Sequence, residues 1–222
     1  MIIVMLGAPG SGKGTVGSLL SKELNVPHIS SGEIFRSYIK KHDALGQKLE
    51  KYVSKGNLIP DEIVIEIVDK RLSEPDVENG LILDGYPRTK TQAIELDKLL
   101  TNMGKKVSVA TNLDLPDEEI VERIINRRTC PNPMCREIYN LEYKPSKIEG
   151  VCDKCGTTLI QREDDTEETV KQRLKVYHEA SVDLIKYYKE KDILYTLTLN
   201  KESKNTTQNI TAEINKYLRK ES

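Results

Sequence analysis

The chain has 222 residues, enough for one globular domain with inserted subdomains and a substantial buried core. Charged residues make up 31% of it, 34 basic against 35 acidic, so the surface is well solvated and the balance demands neither nucleic acid nor a membrane as partner. The opening apolar run ends at Leu6 and no later run approaches about 18 residues, which excludes a signal-peptide core or a membrane span there and leads us to expect a cytoplasmic protein.

Ile2–Leu6 is short, apolar and ended by glycine, the pattern of a buried parallel strand. A helix is expected from Gly14 to Leu24, a brief extended piece at His28 and Ile29, and a helix to Ile39 capped by the Ser30, Ser31 pair. Lys41 to Val53 is a further amphipathic helix, ended by Gly56 and Asn57. Pro60 suits a first helical turn and Asp61 and Glu62 favour its positive end, so the next helix runs to Leu72. Leu81–Leu83 reads as a second buried strand, Thr91–Thr101 as a helix ending near Gly104, and Val107–Leu115 as an extended run. Pro116 and Asp117 start a helix expected to reach Arg128. Residues 129–163 lose helical period and are punctuated by cysteine, proline and glycine. Asp165, with Glu168 three residues on, signals the start of a long helix to Lys189. Ile193–Leu199 reads as the last strand and Thr206–Leu218 as a polar closing helix.

Strands alternating with helices predict an α/β fold, a parallel sheet flanked by helices on both faces. The helical pair at 30–59 and the cysteine region at 126–165 break the alternation. Both read as insertions into a core formed by 1–29, 60–125 and 166–222.

Gly7-Ala8-Pro9-Gly10-Ser11-Gly12-Lys13 has the glycine and lysine spacing of a P-loop, in the required place between an apolar strand and a helix. The glycines let backbone N–H groups turn inward around phosphate oxygens, and the helix N-terminus adds positive potential. Lys13 supplies a mobile full charge for the β- and γ-phosphates. The residue after it is Gly14 rather than Ser or Thr, with the hydroxyl one place later at Thr15, so the usual magnesium-binding hydroxyl is displaced. The loop implies that a nucleoside triphosphate binds; it does not name the reaction.

GAPGSGKGT at 7–15 resembles the phosphate loop of the nucleoside monophosphate kinases. SSGEIFR at 30–36, GNLIPDE at 56–62, LDGYPRT at 83–89 with Gln92, RIINRR at 123–128 and REDDTEETVKQR at 162–173 resemble adenylate kinase segments in the same order. The resemblance spans essentially the whole chain. It implies a P-loop NTPase-type core, a mobile AMP-binding domain at 30–59, and a mobile lid at 126–165 that closes over ATP. It also implies a monomer that carries out Mg2+-dependent, reversible, direct transfer from ATP to AMP, giving two ADP for adenine nucleotide homeostasis.

Phosphoryl transfer needs positive charge around the moving oxygens and no protein nucleophile. By resemblance, the catalytic cations are Lys13, Arg88, Arg123, Arg127, Arg162 and Arg173, with Arg162 and Arg173 between the two nucleotides. ATP is expected at Gly10, Ser11, Gly12, Lys13, Gly14, Thr15, Arg123 and Arg127, with Ile138 and Tyr139 near its base. AMP is expected at Ser31, Arg36, Asn57, Leu58, Ile59, Gly85, Tyr86, Pro87, Arg88 and Gln92, as well as Arg162 and Arg173. Arg123 and Arg127 stand four apart on an expected helix, hence on one face. Asp84 ends an apolar strand and is suited to orienting water on magnesium. The amide of Gln92 suits an adenine edge. Tyr139 is equally suited to the lid's own core. The residue after the last strand that meets the ATP base falls near Lys201 or Glu202.

Cys130, Cys135, Cys152 and Cys155 hold all the cysteine in the chain. The second pair has the C-x-x-C spacing of a zinc knuckle, and the intervening stretch suits a hairpin. A structural Zn2+ would stabilise a lid with few large apolar side chains. Two disulfides, four free thiols or iron are the alternatives. The first pair is C-x4-C, with Pro131 and Pro133 inside it, whereas zinc-bearing lids of this family more usually have C-x2-C. A UMP or CMP kinase, a P-loop ATPase without an acceptor, and a zinc-dependent interaction module stay open as rival functions. The long lid and Gln92 stand against a UMP or CMP kinase, and the second phosphate site around Arg36 and Arg88 stands against an ATPase.

Overall fold

The computed structural model describes residues 1–199 and 207–220. Lys201, Glu202 and Thr206 lie outside the described residues. Five strands form one parallel sheet: β1 (Ile2–Gly7), β2 (His28–Ser30), β3 (Leu81–Asp84), β4 (Val109–Asp114) and β7 (Leu194–Thr198), in the order β2-β3-β1-β4-β7. Side chains alternate along β1. Ile2, Val4 and Leu6 face a core shared with α4 (Asp61–Leu72), α5 (Lys90–Asn102) and part of α7 (Glu167–Glu190). Ile3 and Met5 face a second core with α1 (Lys13–Leu24), α6 (Asp117–Ile125) and α8 (Thr207–Lys220). Cover on both faces is why these strands read as continuous apolar runs.

The register sets Met5 beside Asp84 and Leu6 beside Asn112. The strand order reverses at β1 and β3, so their carboxyl ends open on the crevice where such sheets bind ligands. The P-loop and Asp84 both emerge there. α2 (Ser31–Ile39) and α3 (Ala44–Val53) form the first insertion, as the pattern predicts. Asp43 caps α3 by accepting the Gly46 N–H at 2.7 Å.

Two local expectations give way to long-range pairing. α6 stops at Ile125 instead of reaching Arg128, with the N–H of Asn126 on the Glu122 carbonyl. Arg127–Thr129 is instead strand β5, antiparallel to β6 (Ile138–Asn140). Thr129 N–H bonds the Ile160 carbonyl at 2.8 Å, and Leu141 N–H bonds that of Asn126 at 2.9 Å. Arg123 and Arg127 therefore do not share a helix face. The cap of α7 is Thr166, whose hydroxyl accepts the Thr169 N–H, and not Asp165. Among the described residues, no helix is long and apolar enough to cross a membrane.

Helices α2 and α3 meet at Gly46, where an added Cβ would strike the Tyr38 carbonyl oxygen and lie 3.2 Å from Ile39 Cα. Gly46→Ala is expected to lower stability by about 1–3 kcal/mol, the usual cost of overpacking, in a urea titration. An unchanged midpoint would mean that α2 and α3 separate without cost.

Candidate active site

Gly12 ends the phosphate loop at φ 100°, and no side chain caps α1 behind it. The first N–H groups of α1 are thus left to an external anion. Lys13 folds back over the loop, its Nζ donating to the carbonyls of Gly7 at 2.8 Å and Ala8 at 2.7 Å. Burial lowers its pKa to about 8, opposed by Asp84 and reinforced by Arg88 and Arg127. A Cβ at position 14 would lie 3.3 Å from Asp84 Oδ2, so the glycine after the lysine makes room for that carboxylate. Burial would raise the pKa of Asp84, but His28, with Nε2 at 3.5 Å, and Lys13 hold it below its ordinary value. Thr15 is exposed on the next turn.

One cleft of about 1350 Å³ runs from this loop between the two insertions. Its walls carry Lys13, Arg36, Arg88, Arg123, Arg127, Arg162 and Arg173, so all the expected cations converge. Gly10, Ser11, Gly12, Gly14, Thr15, Asn57, Leu58, Ile59, Asp84, Gly85, Pro87, Gln92, Ile138 and Tyr139 line it as well. Burial and the charges of Arg36 and Arg127 push Arg162 down to about 9. Arg88 keeps access to solvent through the cleft mouth, yet the surrounding protein and Arg173 still lower its pKa.

Two acids that the sequence reading did not single out for chemistry orient this charge. Asp165, whose side chain is fully buried, grips Arg127 in a bidentate pair, at 2.9 Å from Nε and 2.5 Å from Nη2. Asp164 pairs with Arg173. The signal was present as an acid pair between Arg162 and Arg173, but the helix-start pattern absorbed it.

Of the expected AMP contacts, Ser31 and Tyr86 are buried off the cleft lining, and Gln92 lines the cleft while almost wholly buried. Ser31 donates its hydroxyl to the Gly85 carbonyl at 2.7 Å, fastening α2 to the loop that carries Arg88. Tyr86 is 1% exposed and packs in the core beneath that loop. Gln92 is equally buried; its Oε1 accepts the Arg88 N–H at 2.8 Å and its Nε2 donates to Asp61 at 2.7 Å. Its amide has a second N–H beyond these bonds.

Tyr139 fills the lid's small core with Cys130, Cys152 and Leu159, and its hydroxyl accepts the Asp153 N–H at 2.8 Å. The cleft's exposed aromatic is Tyr143, whose ring lies 5.9 Å from the Arg123 guanidinium. Sequence reasoning passed over it because nothing local separates it from Tyr139. All four cysteines are free thiols, and their Sγ atoms lie within 4.8 Å of one another. Cys130 and Cys155 are 3.4 Å apart and Cys135 and Cys152 3.6 Å, close to the ~3.8 Å edge of a tetrahedron with 2.3 Å zinc bonds. C-x4-C therefore brings Cys135 into the cluster as effectively as C-x2-C would.

The family model for adenylate kinase matches residues 5–193. The adenylate kinase of Caldicellulosiruptor bescii is 50% identical over 210 residues, covering 95% of this chain and 97% of that protein. Those of Clostridium tetani and Archaeoglobus fulgidus are 47% and 45% identical, covering 95% and 97% of this chain and 96% and 99% of theirs. The chain belongs to the adenylate kinase family. An adenylate kinase works on ATP with Mg2+ and uses AMP as the phosphate acceptor. Its cluster of four thiols has the donor set and spacing for a structural zinc ion.

Two outcomes are expected here. The folded pKa of Lys13 lies below its unfolded value of 10.5, so between pH 8 and 10.5 the unfolded chain holds more proton and this group's contribution to stability rises with pH. A polyphosphate restores the charge, so Mg·ATP binding near pH 8 should take up about half a proton, and almost none near pH 6.5. Calorimetry in buffers of differing ionisation enthalpy reads this, and no uptake at either pH would mean Lys13 is charged before nucleotide arrives. Second, the purified protein should carry a single tightly held zinc ion, which Cys130→Ser should release to a chromophoric chelator about 10-fold or more readily. Equal release would place the thiol outside the metal site.

Proposed function

We propose that the two ends of the cleft are two phosphate pockets meeting tail to tail. The P-loop and Lys13 take the ATP phosphates, and Arg36 and Arg88 take that of AMP. Arg127, Arg162 and Arg173 surround the moving phosphoryl group. The observation that carries this reading is the convergence of all these cations on one cleft, close enough that, beside burial, the charge of Arg127 lowers the pKa of both Arg36 and Arg162. A P-loop ATPase would need only the first pocket.

Catalysis in this reading is positioning plus charge. Asp165 and Asp164 hold Arg127 and Arg173 in fixed orientations, so little reorganisation accompanies the transfer. Lys13 swings from the Gly7 and Ala8 carbonyls to phosphate oxygens. Magnesium, when bound with ATP, neutralises phosphate charge, and Asp84 would hold it through water. The oxygen of AMP attacks in line, and no group of the protein becomes covalently bonded. Residues 126–165 act as the lid, excluding water so that ATP is not hydrolysed, and 30–59 act as the AMP-binding domain.

The AMP base lies against the backbone of Asn57, Leu58 and Ile59 and the remaining amide N–H of Gln92. Ser31 and Tyr86 act by fixing the loop of Gly85, Pro87 and Arg88. The ATP base stacks between Arg123 and the lid near Ile138, with Tyr143 closing the side and Tyr139 supporting from behind. Balanced charge and the absence of a membrane-length helix among the described residues support a cytoplasmic enzyme. Its partners are ATP, AMP and ADP, and it works as a monomer without nucleic acid or membrane.

Mixing the protein with ATP, AMP and magnesium should give ADP, with AMP preferred over UMP, CMP and GMP. Arg88→Ala should lower kcat/KM for AMP by about 10²–10³, the cost of removing one preorganised donor, with ATP affinity nearly unchanged. ATP turnover indifferent to AMP would overturn the reading in favour of an ATPase.

A further inference from the structure

The loop between Cys130 and Cys135, wide for a metal-binding pair, closes with the N–H groups of Cys135 and Arg136 both on the Asn132 carbonyl, at 3.0 Å. Arg136 is left at φ 51°, in the left-handed region. The matching place after the second pair is Gly156, at φ 71°. Glycine adopts that backbone freely and a residue with a side chain does not, so local folding gives no reason for arginine at 136. Its side chain gives one: Nη1 donates to Glu33 Oε2 at 2.6 Å, joining segments 103 residues apart. Glu33 sits in the first turn of α2, three residues before Arg36, and both partners line the cleft.

We propose that Arg136 is a positioning residue for phosphoryl transfer, pinning the lid to the helix that carries Arg36 and so favouring the closed cleft. The inference rests on the assignment of 30–59 to AMP. The pair is solvent-exposed, at 57% and 37%, so it adds little to global stability. A small differential energy between open and closed forms shifts their populations severalfold. An exposed pair also breaks readily, which lets product leave. It acts on charge as well: the field of Glu33 reaches Arg36, and pairing with Arg136 partly discharges it, leaving the Arg36 guanidinium to phosphate.

Arg136→Gly removes the side chain and suits the left-handed backbone, so the lid should stay folded; Glu33→Gln keeps the shape of its partner. Each variant should raise KM for AMP about three-fold, the scale of an exposed ion pair, with kcat and Tm not lowered. The double variant should raise KM no further than either single. About 1 M KCl should erase the difference from the unaltered protein, because salt screens the exposed pair. An unchanged KM in both singles, independent effects that multiply in the double, or a joint loss of Tm and kcat would each overturn the proposal. AMP-dependent ADP formation by the unaltered protein, and its loss in Arg88→Ala, test the site assignment separately. If Arg88→Ala leaves KM for AMP unmoved, it is the assignment of the pocket that fails and not the tie across the cleft.

Discussion

Lys13 and seven arginines share one cleft, and their mutual repulsion is the constraint around which the rest of the molecule is arranged. Partial desolvation sharpens it, bringing Lys13 to about 8 and Arg162 to about 9. Such charge is held together only by groups that cannot move away. Asp165 is fully buried against Arg127, Asp164 binds Arg173, and Asp84 faces Lys13 from the end of β3. The remaining positive excess suits phosphate anions, whose charge would relieve the repulsion.

The scaffold's part is to hold these charges at the correct separation. Burial of β1 on both faces fixes its register with β3, because a one-residue slip would turn every side chain to the other core. That register sets Asp84 beside the phosphate loop. Hydrogen bonds from Asp61 of α4 through Gln92 of α5 to the Arg88 backbone, and from Ser31 of α2 to Gly85, fasten the loop that carries Arg88.

The lid solves a different problem. Its own core is little more than Tyr139, Leu159 and two cysteines, too small to order about 40 residues by burial alone. Four thiols whose Sγ atoms lie within 4.8 Å of one another offer a metal ion the donor set to do what apolar area cannot. The cysteine insertion carries Arg127 on β5 and, at its rim, the Arg136 side chain that meets Glu33. The thiol cluster is internal to the insertion, while its contact with α2 is exposed and weak.

The sheet's strands, the P-loop, the two insertions and the set of cations were all legible along the chain, because each is written in local patterns: apolar runs, glycine spacing, paired cysteines, arginines within motifs. Local pattern reaches no further than a few residues, so it carried the α6 helix past Ile125, where Thr129 in fact pairs with Ile160 far along the chain. It made Asp165 a helix cap and could not say that its partner is Arg127, 38 residues earlier. It could not tell Tyr139 from Tyr143, since both are aromatic residues in one hairpin and only packing decides which one is enclosed. Folding in three dimensions was needed to show which charges neutralise one another and which are left facing the cleft, because Coulomb energy depends on distance and burial and not on order along the chain.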